Sequence, residues 1–164
     1  MENAFKKLLS IEDPYIHGEI LGYGIDSIAF NKSHNKVKVI TFSKKKFIFI
    51  KNICLKYNLE IKKIRETNLL IEYEMNKLKK PWFSSKERAD IKKEQLRHFG
   101  EIYYSKKKPK ISKKISHRIY KSIVTAINEL PNNNGYFLDL AENQFLEDCN
   151  KNLVCIDPVV FKTE

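Results

Sequence analysis

A chain of 164 residues is long enough for one sizeable core. With 42% hydrophobic and 31% charged residues it is not a disordered chain. No run approaches the roughly 20 apolar residues of a membrane span, and residues 1–14 lack the apolar core of a secretory signal. The net charge is +11, and lysine supplies 27 of the 31 cationic side chains, the rest being Arg65, Arg88, Arg97 and Arg118.

The first half reads mostly as strands. Glu19-Ile20-Leu21 and Ser27-Ile28-Ala29-Phe30 form two extended runs around a glycine-bearing turn. Ser33-His34-Asn35 is turn chemistry. Lys36 to Phe42 then alternates lysine with apolar residues, as a half-buried strand does. Ser43 predicts a helix N-cap, and Phe47, Ile50, Cys54 and Leu55 recur at helical spacing through about Tyr57. Ile61–Ile64 and Asn68–Tyr73 read as two more strands, with Leu69-Leu70-Ile71 as a buried centre.

After Lys80-Pro81-Trp82 the pattern turns helical. Ser84 or Ser85 caps a helix to about Phe99, with Ala89, Leu96 and Phe99 on one face, Ile91 at its margin and Gly100 as the stop. Trp82 is expected to pack between two lobes. A basic connector, Lys106-Lys107-Lys108-Pro109-Lys110, leads to a second helix with Ile111, Ile115, Ile119, Ile123 and Ile127 on one stripe. Asn132 to Gly135 is a turn. Two short strands, Tyr136–Leu140 and Leu153–Ile156, then form a terminal hairpin. A strand-rich half followed by a helical half predicts an α+β fold in two small lobes. The three cysteines, Cys54, Cys149 and Cys155, have no CxxC spacing and read as reduced, buried thiols of a cytoplasmic protein. His17, His34, His98 and His117 are scattered and suggest no metal set.

The terminal segments carry a resemblance. Asp139-Leu140, Gln144 five residues on, and Asp157 thirteen residues after that resemble the catalytic loop and metal-binding segment of protein kinases. The Asp157-Pro158-Val159 ending looks like that of small kinase-fold proteins from bacteriophage genomes. Leu21-Gly22-Tyr23-Gly24 resembles the kinase glycine-rich loop, with two of its three glycines, and Lys38 resembles the strand lysine that pairs the nucleotide phosphates. Glu74-Met75-Asn76 sits where the family's hinge offers its backbone to adenine. The resemblance implies a single kinase-like domain over residues 1–164: an N-lobe of antiparallel sheet plus helix (1–78) and a reduced helical C-lobe (79–164) ending after the metal-binding segment. It further implies Asp139 as catalytic base, Gln144 and Asp157 as Mg²⁺ ligands, and Gly22, Gly24, Lys38, Glu74 and Met75 around ATP.

The sequence also departs from the family. Phe137-Leu138 replaces the His-Arg before the catalytic Asp, and Gln144 replaces Asn. The helix after Lys38 holds no Glu, which leaves Glu60 as the nearest acid in sequence. The sequence stops seven residues after Asp157, so the helices that seat a protein substrate are expected to be lacking. These departures favour a pseudokinase that binds and modulates a protein, a host protein if the chain is phage-encoded. An ATP- and Mg²⁺-dependent minimal phosphotransferase stands as the alternative. A third reading is nucleic-acid binding through Lys106 to Lys114, with Tyr103 and Tyr104 stacking on bases.

Overall fold

The computed structural model describes residues 3–99, 108–130, 136–156 and 159–161. The chain divides into two compact units, Met1–Lys77 and Leu78–Glu164. Among the described residues no helix is long and apolar enough to cross a membrane.

The first unit is built on one five-stranded antiparallel sheet. Its strands are β1 (Ile20–Tyr23), β2 (Ser27–Asn31), β3 (Lys36–Thr41), β4 (Ile61–Glu66) and β5 (Ile71–Asn76), in the order β1-β2-β3-β5-β4. Side chains alternate across a strand, so each strand offers one row to each sheet face. Helix α2 (Lys44–Lys56), capped by the Ser43 side chain on the Lys46 amide, covers one face. Its Phe47 ring meets Tyr73 at 5.2 Å, and Tyr73 lies opposite Val39. Val39 and Tyr73 therefore belong to the α2 face, and by alternation so do Val37, Thr41, Ile71 and Met75.

The opposite face carries Ile28, Phe30 and Ile40. It is covered by two elements the sequence pattern did not announce: helix α1 (Ala4–Leu9) and a 3-10 turn at Pro14–His17. Ala4 and Leu8 are fully buried against Ile28, Phe30, Ile40 and Leu70. Asn3 caps α1, and the Ala4 amide donates to the Gly24 carbonyl.

Several apolar positions fall on the other side from the one their spacing suggested. Leu55 and Leu69 are exposed, and β5 begins only at Ile71, because the Thr67 hydroxyl accepts from the Leu69 and Leu70 amides and holds them in the β4–β5 turn.

In the second unit, α3 (Ser85–Phe99) starts at a reciprocal cap: the Ser84 hydroxyl accepts from the Glu87 amide and the Glu87 carboxylate from the Ser84 amide. Its buried row is Ile91, Glu94 and His98, while Ala89 and Leu96 face solvent. Helix α4 (His117–Asn128) buries Ile119, Ile123 and Ile127; Ile115 is buried ahead of it, so the isoleucine stripe begins before the helix does. Trp82 is 76% exposed, and Phe83 is the aromatic that packs inward, edge-on to Phe145. Arg118 ties the unit together: it donates to Glu87, to Glu147 and to the Trp82 carbonyl, and lies over the Phe83 ring.

The expected terminal hairpin is two separate ribbons. Strand β6 (Tyr136–Leu138) pairs with β9 (Val159–Phe161), and β7 (Phe145–Glu147) pairs with β8 (Leu153–Cys155). The β7–β8 turn closes on buried Asp148, whose carboxylate accepts from the Asn150 and Asn152 amides and the Asn152 side chain. Cys54 and Cys155 are buried as expected, whereas Cys149 is exposed. Gly100, Tyr103, Tyr104, Lys106, Lys107, the Asn132–Gly135 turn and Asp157 lie outside the described residues.

Gly18 alone among the described glycines has a positive φ, 111°, and a β-carbon there would lie 3.1 Å from the Asn31 carbonyl oxygen. At Gly22 and Gly24 an added β-carbon meets nothing within 4 Å. Gly18→Ala should therefore lose about 1–2 kcal/mol in urea denaturation, while Gly22→Ala and Gly24→Ala should be neutral or slightly stabilising.

Candidate functional site

The residues singled out in the first unit fall into two groups. Gly22 lies in β1 opposite Ala29, and Gly24 follows the strand, its amide donating to the Ser27 carbonyl. Both are exposed. The second group surrounds Lys38 on the sheet face away from α2.

Lys38 lies in β3 opposite Phe30 and Glu74, on the row that includes Ile40. Its ammonium group is 3.3 Å from Glu72 Oε1 and 3.5 Å from His17 Nδ1, and its side chain is only 15% exposed. Glu72 is one diagonal step away across the β3–β5 ladder, since its direct partner is Ile40. The other Glu72 oxygen accepts from Arg65 Nε at 3.1 Å. Arg65 Nη2 then donates to Glu12 Oε1 at 2.6 Å, and His17 Nε2 meets the same oxygen at 3.0 Å.

Lys38, Glu72, Arg65, Glu12 and His17 thus form a closed ring, drawn from β3, β5, β4 and the N-terminal segment. An Nε2–H tautomer of His17 satisfies both of its contacts, donating to Glu12 and accepting from Lys38. The two cations and the two carboxylates of the ring balance one another. The Arg65 hydrogen bond holds the Glu12 carboxyl below the usual range, against the opposing effect of burial.

The Lys38 partner is therefore neither a helix carboxylate nor Glu60. Helix α2 contains no acidic residue, and Glu60 pairs with Lys36 at the start of β3. A kinase-type clamp needs a lysine open to phosphate with a carboxylate from the adjoining helix beside it. Lys38 as placed does not fit that arrangement.

Glu74 and Met75 also sit differently from a hinge. The strand runs on through Asn76, so both residues lie inside β5, hydrogen-bonded between β3 and β4. Glu74 pairs with Lys32 at 3.3 Å, and Met75 is buried on the α2 face. Their main-chain groups are taken up by ladders on both sides. The chain leaves the sheet only at Lys77, whose amide donates to the Asn35 carbonyl.

In the second unit Asp139 is half-buried, directly after β6, at the end of the ladder where Val159 enters opposite Leu138. Gln144 ends a 3-10 turn at Glu142–Gln144, and its carbonyl accepts from the Ile156 amide at 2.8 Å. The loop from Asp139 to Gln144 is thereby fastened to the end of β8. Asp157, the third member of the expected set, lies outside the described residues. Among the described residues no group of three or more His, Cys, Asp and Glu side chains is placed to hold a metal ion. The Cys54 thiol is pushed up to about 12 by burial and is chemically inert.

No protein-family model, curated protein or solved structure matches the chain.

The ring sets an acid limit on the first unit. A carboxyl held low in the folded state binds its proton less readily there than in the unfolded chain, whose value is near 4.5. Its stabilising effect is present above that pH and is lost as pH falls through the folded value. Glu12→Gln should cost roughly 1–2 kcal/mol at pH 7. The gap between variant and parent, followed by urea denaturation, should close progressively below pH 4.5.

Proposed function

We propose that the chain is a kinase-like fold that does not transfer phosphate and serves as a binding module for another protein. Support for the kinase-like part is the element order. Three strands, a helix and two strands make one sheet, and helices and short paired strands follow, with Asp139 and Gln144 in a loop after β6. The observation that carries the non-catalytic part is the engagement of Lys38 by Glu72 and His17, on the sheet face opposite an α2 that offers no carboxylate.

Support for protein binding comes from the free edge at β1. Edge strands invite pairing unless they carry charge, bulges or cover. The other edge, β4, carries Lys62, Lys63 and Arg65. Strand β1, Ile20-Leu21-Gly22-Tyr23, has no charge at all, its one interruption being a register shift between Ile20 and Gly22. Beside it lies an aromatic cluster: Phe5 touches both Tyr15 and Tyr23, at 6.4 and 5.6 Å, and these two tyrosines are 69% and 58% exposed. Ile16, Leu21 and Ile25 are exposed as well. An uncharged edge next to exposed tyrosines suits a partner that adds a strand and packs apolar side chains on the rings. On the phage reading this partner is a host protein.

Calorimetric titration with Mg·ATP tests the non-catalytic part. The expected result is no binding at millimolar nucleotide, and a Lys38→Met variant that loses stability without changing that result. Nucleotide binding by the parent that Lys38→Met abolishes, in a variant that remains folded, would sink the proposal. For the docking edge, a partner captured by the parent protein should be lost with Tyr23→Lys, since a charge there repels the incoming strand.

A further inference from the structure

The second unit carries its charge in an uneven way. Residues 86–121 hold 13 lysines and arginines against 4 carboxylates, a net of +9 out of +11 for the whole chain. The described part of this segment is folded so that its cations converge. Residues 110–116 run antiparallel along α3, fastened at three points. Arg97 donates to the Lys110 carbonyl, the Ser112 amide donates to Glu94 at 3.4 Å, and the Ser116 amide and hydroxyl donate to Asp90 at 2.7 and 2.6 Å.

On α3, positions 86, 90, 93 and 97 share one face by helical spacing. Exposed Lys86 and Lys93 therefore stand beside exposed Lys110, Lys113 and Lys114.

The carboxylates on α3 do not neutralise these lysines by pairing with them. Glu87 is taken by Arg118, Glu94 by Arg97, and Asp90 by Ser116. Among the described residues none of Lys86, Lys93, Lys110, Lys113 and Lys114 forms an ion pair. Burial works to raise the Asp90 carboxyl, but the two Ser116 bonds, with Lys86 and Lys93 nearby, hold it below the usual range. Asp90 thus stays ionised as a fastening for the segment, within the field of these lysines.

We infer that the strip formed by Lys86 and Lys93 of α3 with Lys110, Lys113 and Lys114 of the adjoining segment is a binding surface for the phosphate backbone of a nucleic acid, read without base specificity. Lysine is a compact point charge and makes no bidentate fork to a base edge, so the strip suits backbone rather than sequence. Among the lysines lie Asp90, Ser112 and Ser116, polar groups already hydrogen-bonded, and half-buried Ile111, not the row of apolar anchors that seats a helix in a lipid interface. A fixed row of unpaired cations on two fastened elements matches a polymer of regular negative charge, which gains from the release of its counterions. This surface lies wholly in the second unit and is independent of the Lys38 ring.

The test is fluorescence anisotropy of the full chain with a labelled DNA duplex of about 20 base pairs and a single strand of the same length, over a range of salt. For five lysine contacts the logarithm of the association constant should fall against the logarithm of salt with a slope of about −4.5 on the duplex. The triple variant Lys93→Gln, Lys113→Gln, Lys114→Gln should reduce that slope by about three. The same number of lysines removed from the first unit, Lys51→Gln, Lys62→Gln and Lys63→Gln, should leave it unchanged. No binding at low salt, equal losses from both triples, or capture by phosphatidylserine vesicles with none of either nucleic acid would each overturn the assignment.

Discussion

The ion pair between Lys38 and Glu72 organises one face of the first unit's sheet. A strand gives alternate residues to opposite faces, so once Val39 and Tyr73 meet α2, Lys38 must stand on the other side. On that side it stands beside the apolar cluster of Ile28, Phe30 and Ile40 under α1. A lone ammonium group there would be costly to bury. Glu72, one diagonal step across the ladder, removes the cost, and Arg65 and Glu12 extend the compensation to the N-terminal segment. The ring thus does two things at once. It makes a charged position tolerable next to a core, and it fastens residues 12–17 over the lysine they partly cover.

Under the proposed kinase-like reading, this geometry separates the order of elements from the chemistry. The order needs only the right succession of strands and helices, which patterning supplies. The chemistry needs one lysine on the face that α2 covers and one carboxylate on α2. A one-residue shift in the register of β3 would move every side chain of that strand to the opposite face, and the sequence of α2, Lys44 to Lys56, would still offer no acid. Two independent features therefore point the same way.

How much of this could be read in advance depends on where each signal lies in the chain. Strands β1 to β4 and helices α2 to α4 followed from alternation, helical spacing and the caps at Ser43 and Ser84. These are local signals, and local hydrogen bonds honour them. The six-residue helix α1 and the three-residue strands β7 and β9 carry too few positions for a period to show, and they exist because a neighbour pairs or buries them. Leu55, Leu69, Leu96 and Trp82 were misplaced because apolar type says which residues can be buried, not which face of an element receives cover. The Lys38 partner was out of reach for a different reason. Glu72 is 34 positions away and becomes a neighbour only through the β3–β5 register. Glu74 and Met75 read as lying beyond a strand because the extra turn at Leu69-Leu70 displaced that strand toward the C-terminus.

The same distinction applies to the charge. A compositional bias toward lysine would enrich the whole chain, and lysine is indeed spread throughout. What varies is the supply of acids. Outside residues 86–121 the remaining 18 cations face 16 carboxylates, near balance, whereas within that segment 13 face 4. Among the described residues its acids Glu87, Asp90 and Glu94 are assigned to arginine and to main-chain or hydroxyl donors. Guanidinium forks and fixed amides compete for a carboxylate better than a mobile ammonium group does. Arginine thus takes up negative charge in building the fold, through Arg97 on Glu94 and Arg118 on Glu87, and among the described residues Lys86, Lys93, Lys110, Lys113 and Lys114 are left over. A surface left so uncompensated is a cost to the folded unit through self-repulsion, and a polyanion that binds it removes that cost while it binds.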